Sequence, residues 1–181
     1  MSSASSTTVV FIGRNPAPTL GRLNRLTNVR AASLAEMTDG DAGQWINQSQ
    51  SPYVVHDRDP LAHVAHAWVE FFDDQTTLGT LDFEIERALQ SLSAGGASLP
   101  DYYIIDAPEE LSPTWKHWWL GVLPDAAPTR VIPWDDGATP LARLLGHLPT
   151  GRSWPDPGPW LHRVARQVPD RVGLGEIVPE T

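Results

Sequence analysis

The feature that most constrains this 181-residue chain is a recurring pair: a short, mostly apolar run that halts at a turn or acidic residue, then a segment with apolar residues at helical spacing. Residues 8–12 read Thr-Val-Val-Phe-Ile and halt at Gly13. Residues 53–55 read Tyr-Val-Val and lead into His56, Asp57, Arg58 and Asp59. Residues 102–105 read Tyr-Tyr-Ile-Ile and halt at Asp106, and residues 129–132 read Thr-Arg-Val-Ile before Pro133, Trp134, Asp135 and Asp136. Runs that do not alternate polar with apolar suit strands buried on both faces, as in a parallel sheet.

Helical patterns fill the intervals. Leu20, Leu23 and Leu26 share a face, with Pro16 and Pro18 expected to block an earlier start. Leu61, Val64, Ala65, Trp68, Phe71 and Phe72 form a stripe, and Leu81, Ile85, Ala88, Leu89 and Leu92 form another with Thr80 as N-cap. Ser112-Pro113 opens a helix that buries Trp115, Trp118, Trp119, Val122 and Leu123. Leu141, Leu144, Leu145 and Leu148 mark a further helix. Trp160, Leu161, Val164, Ala165 and Val168 mark the last. Residues 28–34 have the makings of a short strand, and residues 39–52 read as loop. This alternation predicts an α/β fold: a three-layer, doubly wound, mostly parallel sheet of 4–5 strands with helices on both faces. Residues 1–7 are expected to be a disordered tail and residues 8–181 a single domain.

Composition removes several functions. The chain has no cysteine, so disulfides, thiolate metal sites and thiol nucleophiles are excluded. It carries 13 Lys+Arg against 22 Asp+Glu, a formal net charge of −9, which disfavours general nucleic-acid or anionic-membrane binding. No apolar run reaches membrane-spanning length, and the polar start lacks a signal peptide's basic region, so a soluble cytoplasmic protein is expected. Eight tryptophans require an ample core.

In doubly wound sheets ligands gather beyond the carboxyl ends of the strands. Three of the four strand-end loops carry acids, and Asp57, Asp59 and Asp106 are the candidate catalytic set, with Asp135 beside them. Converging carboxylates would take Mg²⁺ as cofactor or act as general base. The same residues also suit turns and caps. His56, His63 and His66 form an alternative metal set of imidazole and carboxylate donors. Arg14, Arg22 and Arg25 lie in an acid-free stretch where a strand hands over to a helix, a candidate anion site. Trp154 and Trp160, in a Pro/Gly-rich segment, are candidate partner contacts, because tryptophan is favoured at interface hot spots.

Three segments in order resemble the ParA/MinD partition-ATPase family of P-loop proteins. Residues 53–60, ending Asp57-Arg58-Asp59-Pro60, are similar to that family's strand ending in Asp-x-Asp-Pro. Residues 101–108, with Asp106, are similar to its Walker-B strand, whose aspartate helps hold Mg²⁺. Val131-Ile132-Pro133 and residues 140–145 are similar to its next strand and helix. The resemblance implies a nucleotide-binding fold, but the family's lysine-bearing glycine-rich loop falls on residues 13–19, which hold one glycine, two prolines and no lysine. Lys116, the single lysine, falls after Asp106 and cannot fill that role. Asp57-x-Asp59 also resembles the haloacid-dehalogenase phosphatases, although Pro60-Leu61 departs from their pattern.

The leading expectation is a non-catalytic α/β protein that binds a protein partner, with a degenerate P-loop-like pocket. The first alternative is a Mg²⁺-dependent phosphohydrolase or nucleotide-processing enzyme using the strand-end aspartates. The second is an acidic mimic that inhibits a nucleic-acid-binding protein.

Overall fold

A computed structural model describes residues 6–169. Five parallel strands form one sheet: β1 (Thr7–Ile12), β2 (Val29–Ala32), β3 (Tyr53–His56), β4 (Tyr102–Asp106) and β5 (Val131–Trp134), in the spatial order β2-β3-β1-β4-β5. Every neighbouring pair is parallel. This is the α/β layered fold that the alternation predicts. Thr7, expected in the tail, donates its N–H to Pro52 O and belongs to β1; residues 1–5 and 170–181 lie outside the described residues. Among the described residues no helix is long and apolar enough to cross a membrane.

The pleat divides each central strand between two cores. Val9 and Phe11 of β1, with Tyr102 and Ile104 of β4, pack against Leu20 and Leu23 of α1 (Pro16–Leu23) and Leu141 and Leu145 of α7 (Leu141–Leu145). Val10, Tyr103 and Ile105 face the other way, toward Trp68 of α3 (Ala62–Phe72), Ile85 of α4 (Leu78–Ser93) and Trp118 and Trp119 of the 113–126 helix. Burial of both strand faces explains why the runs do not alternate.

Several local expectations are corrected. Helix α1 begins at Pro16, not beyond Pro18. Both prolines fall in the first turn, where an N–H has no intrahelical partner to lose. Residues 39–47, expected as loop, form α2 (Asp39–Asn47), capped by the Thr38 hydroxyl, which accepts from the Asp41 N–H at 3.2 Å. Two glycines in α2 hide it from periodicity, but the cap and two acids in its first turn support it. Helix α4 is capped by Thr77, not Thr80. β5 runs on through Pro133, which an edge strand tolerates because a proline there forfeits only an outward-facing N–H.

The 113–126 helix is α-helical over Pro113–His117 (α5) and Leu123–Ala126 (α6), with a π turn over Trp118–Val122 between them. There the Leu123 N–H reaches back five residues to Trp118 O. Pro124 lacks an N–H and its ring crowds the preceding turn, which accounts for the widening. The last expected helix is short, α8 (Pro157–Leu161), followed by a 3-10 turn over Val164–Arg166, and Val168 is 67% exposed rather than inward.

Candidate functional site

Connections leave β1 and β4 in opposite directions. From β1 the chain passes by α1 to β2 on one side, and from β4 it passes by the 113–126 helix to β5 on the other. The adjacent carboxyl ends of β1 and β4 therefore form a topological switch point, where such sheets leave a crevice. A cleft of ≈ 450 Å³ lies there. Gly13 and Arg14 enter it from the end of β1, Asp57 and Asp59 from the end of β3, and Asp106 and Ala107 from the end of β4. Its remaining wall is largely carbon, from Ala62 and Ala65 of α3, Leu111, Trp115 and Trp119.

The three predicted aspartates do line one cleft, but their circumstances differ. Asp57 is committed to the scaffold: one oxygen accepts from the Ser33 hydroxyl at 2.5 Å and the other from the Leu34 N–H at 2.7 Å. It ties the end of β3 to the loop beyond β2. Asp59 directs one oxygen, Oδ1, to the Leu61 N–H at 2.9 Å and to the Tyr103 hydroxyl at 2.8 Å. Burial raises its pKa to about 6 against the lowering effect of those two bonds. Asp106 also holds its proton more tightly than an ordinary carboxyl, through burial first and then the charges of Asp136, Glu110 and Asp135.

Gly13 makes room for Asp106. A Cβ at Gly13 would stand 3.1 Å from Asp106 Oδ2 and 3.2 Å from Asp106 Cβ. Ala107 follows with φ 45° and ψ 56°, a left-handed conformation that costs a non-glycine residue free energy. Such strain persists where surrounding structure fixes it and is common at functional sites. At the rim, exposed Arg14 pairs with Glu110 at 3.2 Å and links the loops after β1 and β4. Fully solvated pairs of this kind add little stability.

The metal sets do not assemble. Among the described residues no three His, Cys, Asp or Glu side chains are grouped so as to hold a metal ion. Asp57, Asp59 and Asp106 line one cleft but do not form such a group, so they are not gathered as Mg²⁺ ligands. Of the histidines only His66 lines the cleft, its ring edge-on to Trp115 with centroids 4.9 Å apart. His63 is exposed on α3. His56 is 4% exposed within the sheet; its Nδ1 accepts from the Arg58 N–H at 3.2 Å, and desolvation lowers its pKa to about 4.

The anion set is dispersed as well. Arg14 is at the cleft, whereas exposed Arg22 donates to the Thr19 hydroxyl and Arg25 lies exposed beyond α1. The start of α1 lacks a cradle of N–H groups, since Pro16 and Pro18 remove two donors and Asn15 makes no side-chain cap.

The Trp154 and Trp160 contact patch is corrected to core. Trp160 is 5% exposed, and half-buried Trp154 stacks on it at 6.0 Å while donating its indole N–H to Pro100 O at 2.7 Å. The residues that complete the cleft carry no functional mark in the sequence. Trp115 and Trp119 sit on a stripe whose spacing says only that it is buried. Tyr103 is aimed at Asp59 by the strand pleat, and nothing marks Ala107 in advance.

No family model, curated protein or solved structure matches this chain.

Proposed function

We propose that this chain is a small-molecule-binding α/β protein whose ligand seats in the cleft between the carboxyl ends of β1 and β4. One observation carries the reading: the switch-point cleft collects Asp59 and Asp106, two carboxyls that hold their protons more tightly than usual, opposite a wall of carbon and indole. A concave, mostly apolar space with a few convergent polar groups is the ordinary form of a small-molecule site. Asp59, with a pKa of about 6, is suited to exchange a proton with a bound molecule near neutral pH.

Partner binding through Trp154 and Trp160 loses its support, because both rings pack into the protein. A phosphohydrolase reading would need the missing phosphate cradle or a carboxylate set able to hold Mg²⁺. The test is a fragment screen followed by the indole N–H resonances of the eight tryptophans. Hits should move Trp115 and Trp119 first and weaken in Asp106→Asn. A screen whose hits map elsewhere on the sheet would discard the cleft as the ligand site.

A further inference from the structure

The charges on the cleft do not balance. Arg14, its one arginine, is already paired with Glu110 at the rim, and its other basic group, His66, has Nδ1 2.9 Å from Ala62 O. Asp57 is satisfied by two donors of the β2 loop. Asp59 feels the His66 imidazole, but neither Asp59 nor Asp106 has an arginine or lysine partner, and Asp106 also feels Glu110 and, from the loop after β5, Asp136 and Asp135. An anionic ligand would enter against this field, with no lysine and no open helix N-terminus to receive it.

The opposite wall is a second, independent element. Trp115 and Trp119 stand nearly parallel, with centroids 6.5 Å apart and planes at 17°, and Trp119 packs on Tyr103 at 5.6 Å. Indole faces carry negative potential and attract ammonium and guanidinium groups when these shed water. A carboxylate in a desolvated site gains from an adjacent cation for the same reason.

Building on the small-molecule reading, we infer that the ligand of this cleft is an organic cation, an amine or guanidine on an apolar or flat body, its charge set against Asp106 and Asp59 and its body against the partly exposed ring of Trp115, which buried Trp119 backs. The cation would enter past Arg14 and Glu110 and supply the missing charge. No bond is made or broken in this step.

Probes of matched shape separate the charge from the cleft: phenethylamine, phenethyl alcohol, phenylacetate and Mg·ATP, titrated into the intact chain by calorimetry and by tryptophan indole resonances. The amine should bind at least about 10-fold more tightly than the alcohol, a difference of about 1.4 kcal/mol. That preference should fall in Asp106→Asn and binding of both probes should weaken in Trp115→Leu, with each variant's melting curve confirming that it is folded. The preference should also fall as pH drops and the cleft carboxyls take up protons, while alcohol binding stays level. If phenylacetate or Mg·ATP binds as well as the amine at Trp115 and Trp119, the cation inference fails and the cleft stands. If none of the four moves those resonances at millimolar concentration, cation and cleft fail together.

Discussion

Arg58 leaves the end of β3 and donates to the carbonyls of Leu34, Ala35 and Met37 and to the Asp39 carboxylate, the last two at 2.6 and 2.5 Å. With Asp57 gripping Ser33 and Leu34, two adjacent side chains organise the whole loop between β2 and α2. The carbonyls of an irregular segment need donors, and one guanidinium fork supplies several at once. Arg58→Ala should cost about 2 kcal/mol, the loss of hydrogen bonds to a charged group, and Arg58→Lys should restore little of it because an ammonium has no fork. Urea unfolding checks this through a lower midpoint at unchanged slope. Full stability in the alanine variant would show that the loop holds itself. The sequence marks Asp57 and Asp59 alike, as acids after a strand. Only the fold separates them, because what distinguishes a turn-holding carboxylate from a cleft carboxylate is the partner each meets across more than 20 residues of chain.

At the scale of elements, legibility follows the strength of the local signal. The four strands marked by apolar runs are present, since burial on both faces leaves short unbroken runs of β-branched and aromatic residues bounded by turn residues. Helix α2 leaves no periodic signal because Gly40 and Gly43 dilute its stripe and Ala42 is its one buried residue, so its cap counts for more than its packing. The segment around Trp154 and α8 is ambiguous in sequence for a related reason. Tryptophan, proline and glycine together signal an exposed recognition loop as readily as a sealing strap. Here the strap closes over the α3–α4 side of the sheet: Trp160 and Leu161 are buried, and Trp68 donates its indole N–H to Val164 O at 2.8 Å. Trp160→Ala should therefore lower stability by roughly 3–5 kcal/mol, the range for emptying an aromatic core site. Trp154→Ala should cost less, since its ring is partly exposed, although the variant loses one indole hydrogen bond, the stack on Trp160 and an edge-to-face contact with Tyr103. Thermal melts of the two variants would show the order, and an unchanged melting temperature in Trp160→Ala would return that ring to the surface.

For the molecule as a whole, the two buried titratable groups beside the carboxyl edge pull against each other. His56 is held neutral in the folded chain, with a pKa of about 4 against an ordinary 6.5. Between those values the unfolded chain binds the proton first, so stability falls as pH falls, by up to about 3 kcal/mol. Asp59 has the opposite sign. Its folded pKa of about 6 lies above the ordinary 3.8, so between those values the folded chain binds the extra proton and stability falls as pH rises, again by up to about 3 kcal/mol. From pH 4 to 6 the two slopes nearly cancel. Asp59→Asn uncouples them, because the amide oxygen can still accept from Leu61 and Tyr103 while the buried charge is gone. The variant should be more stable than the parent at pH 7, by up to about 3 kcal/mol, and match it below pH 4, where the parent carboxyl is protonated folded or unfolded. It should also lose stability more steeply between pH 6 and 4, since the His56 slope then stands alone. Denaturant unfolding at pH 4, 5, 6 and 7 measures both curves, and parallel curves across that window would mean that Asp59 is charged in the folded protein throughout.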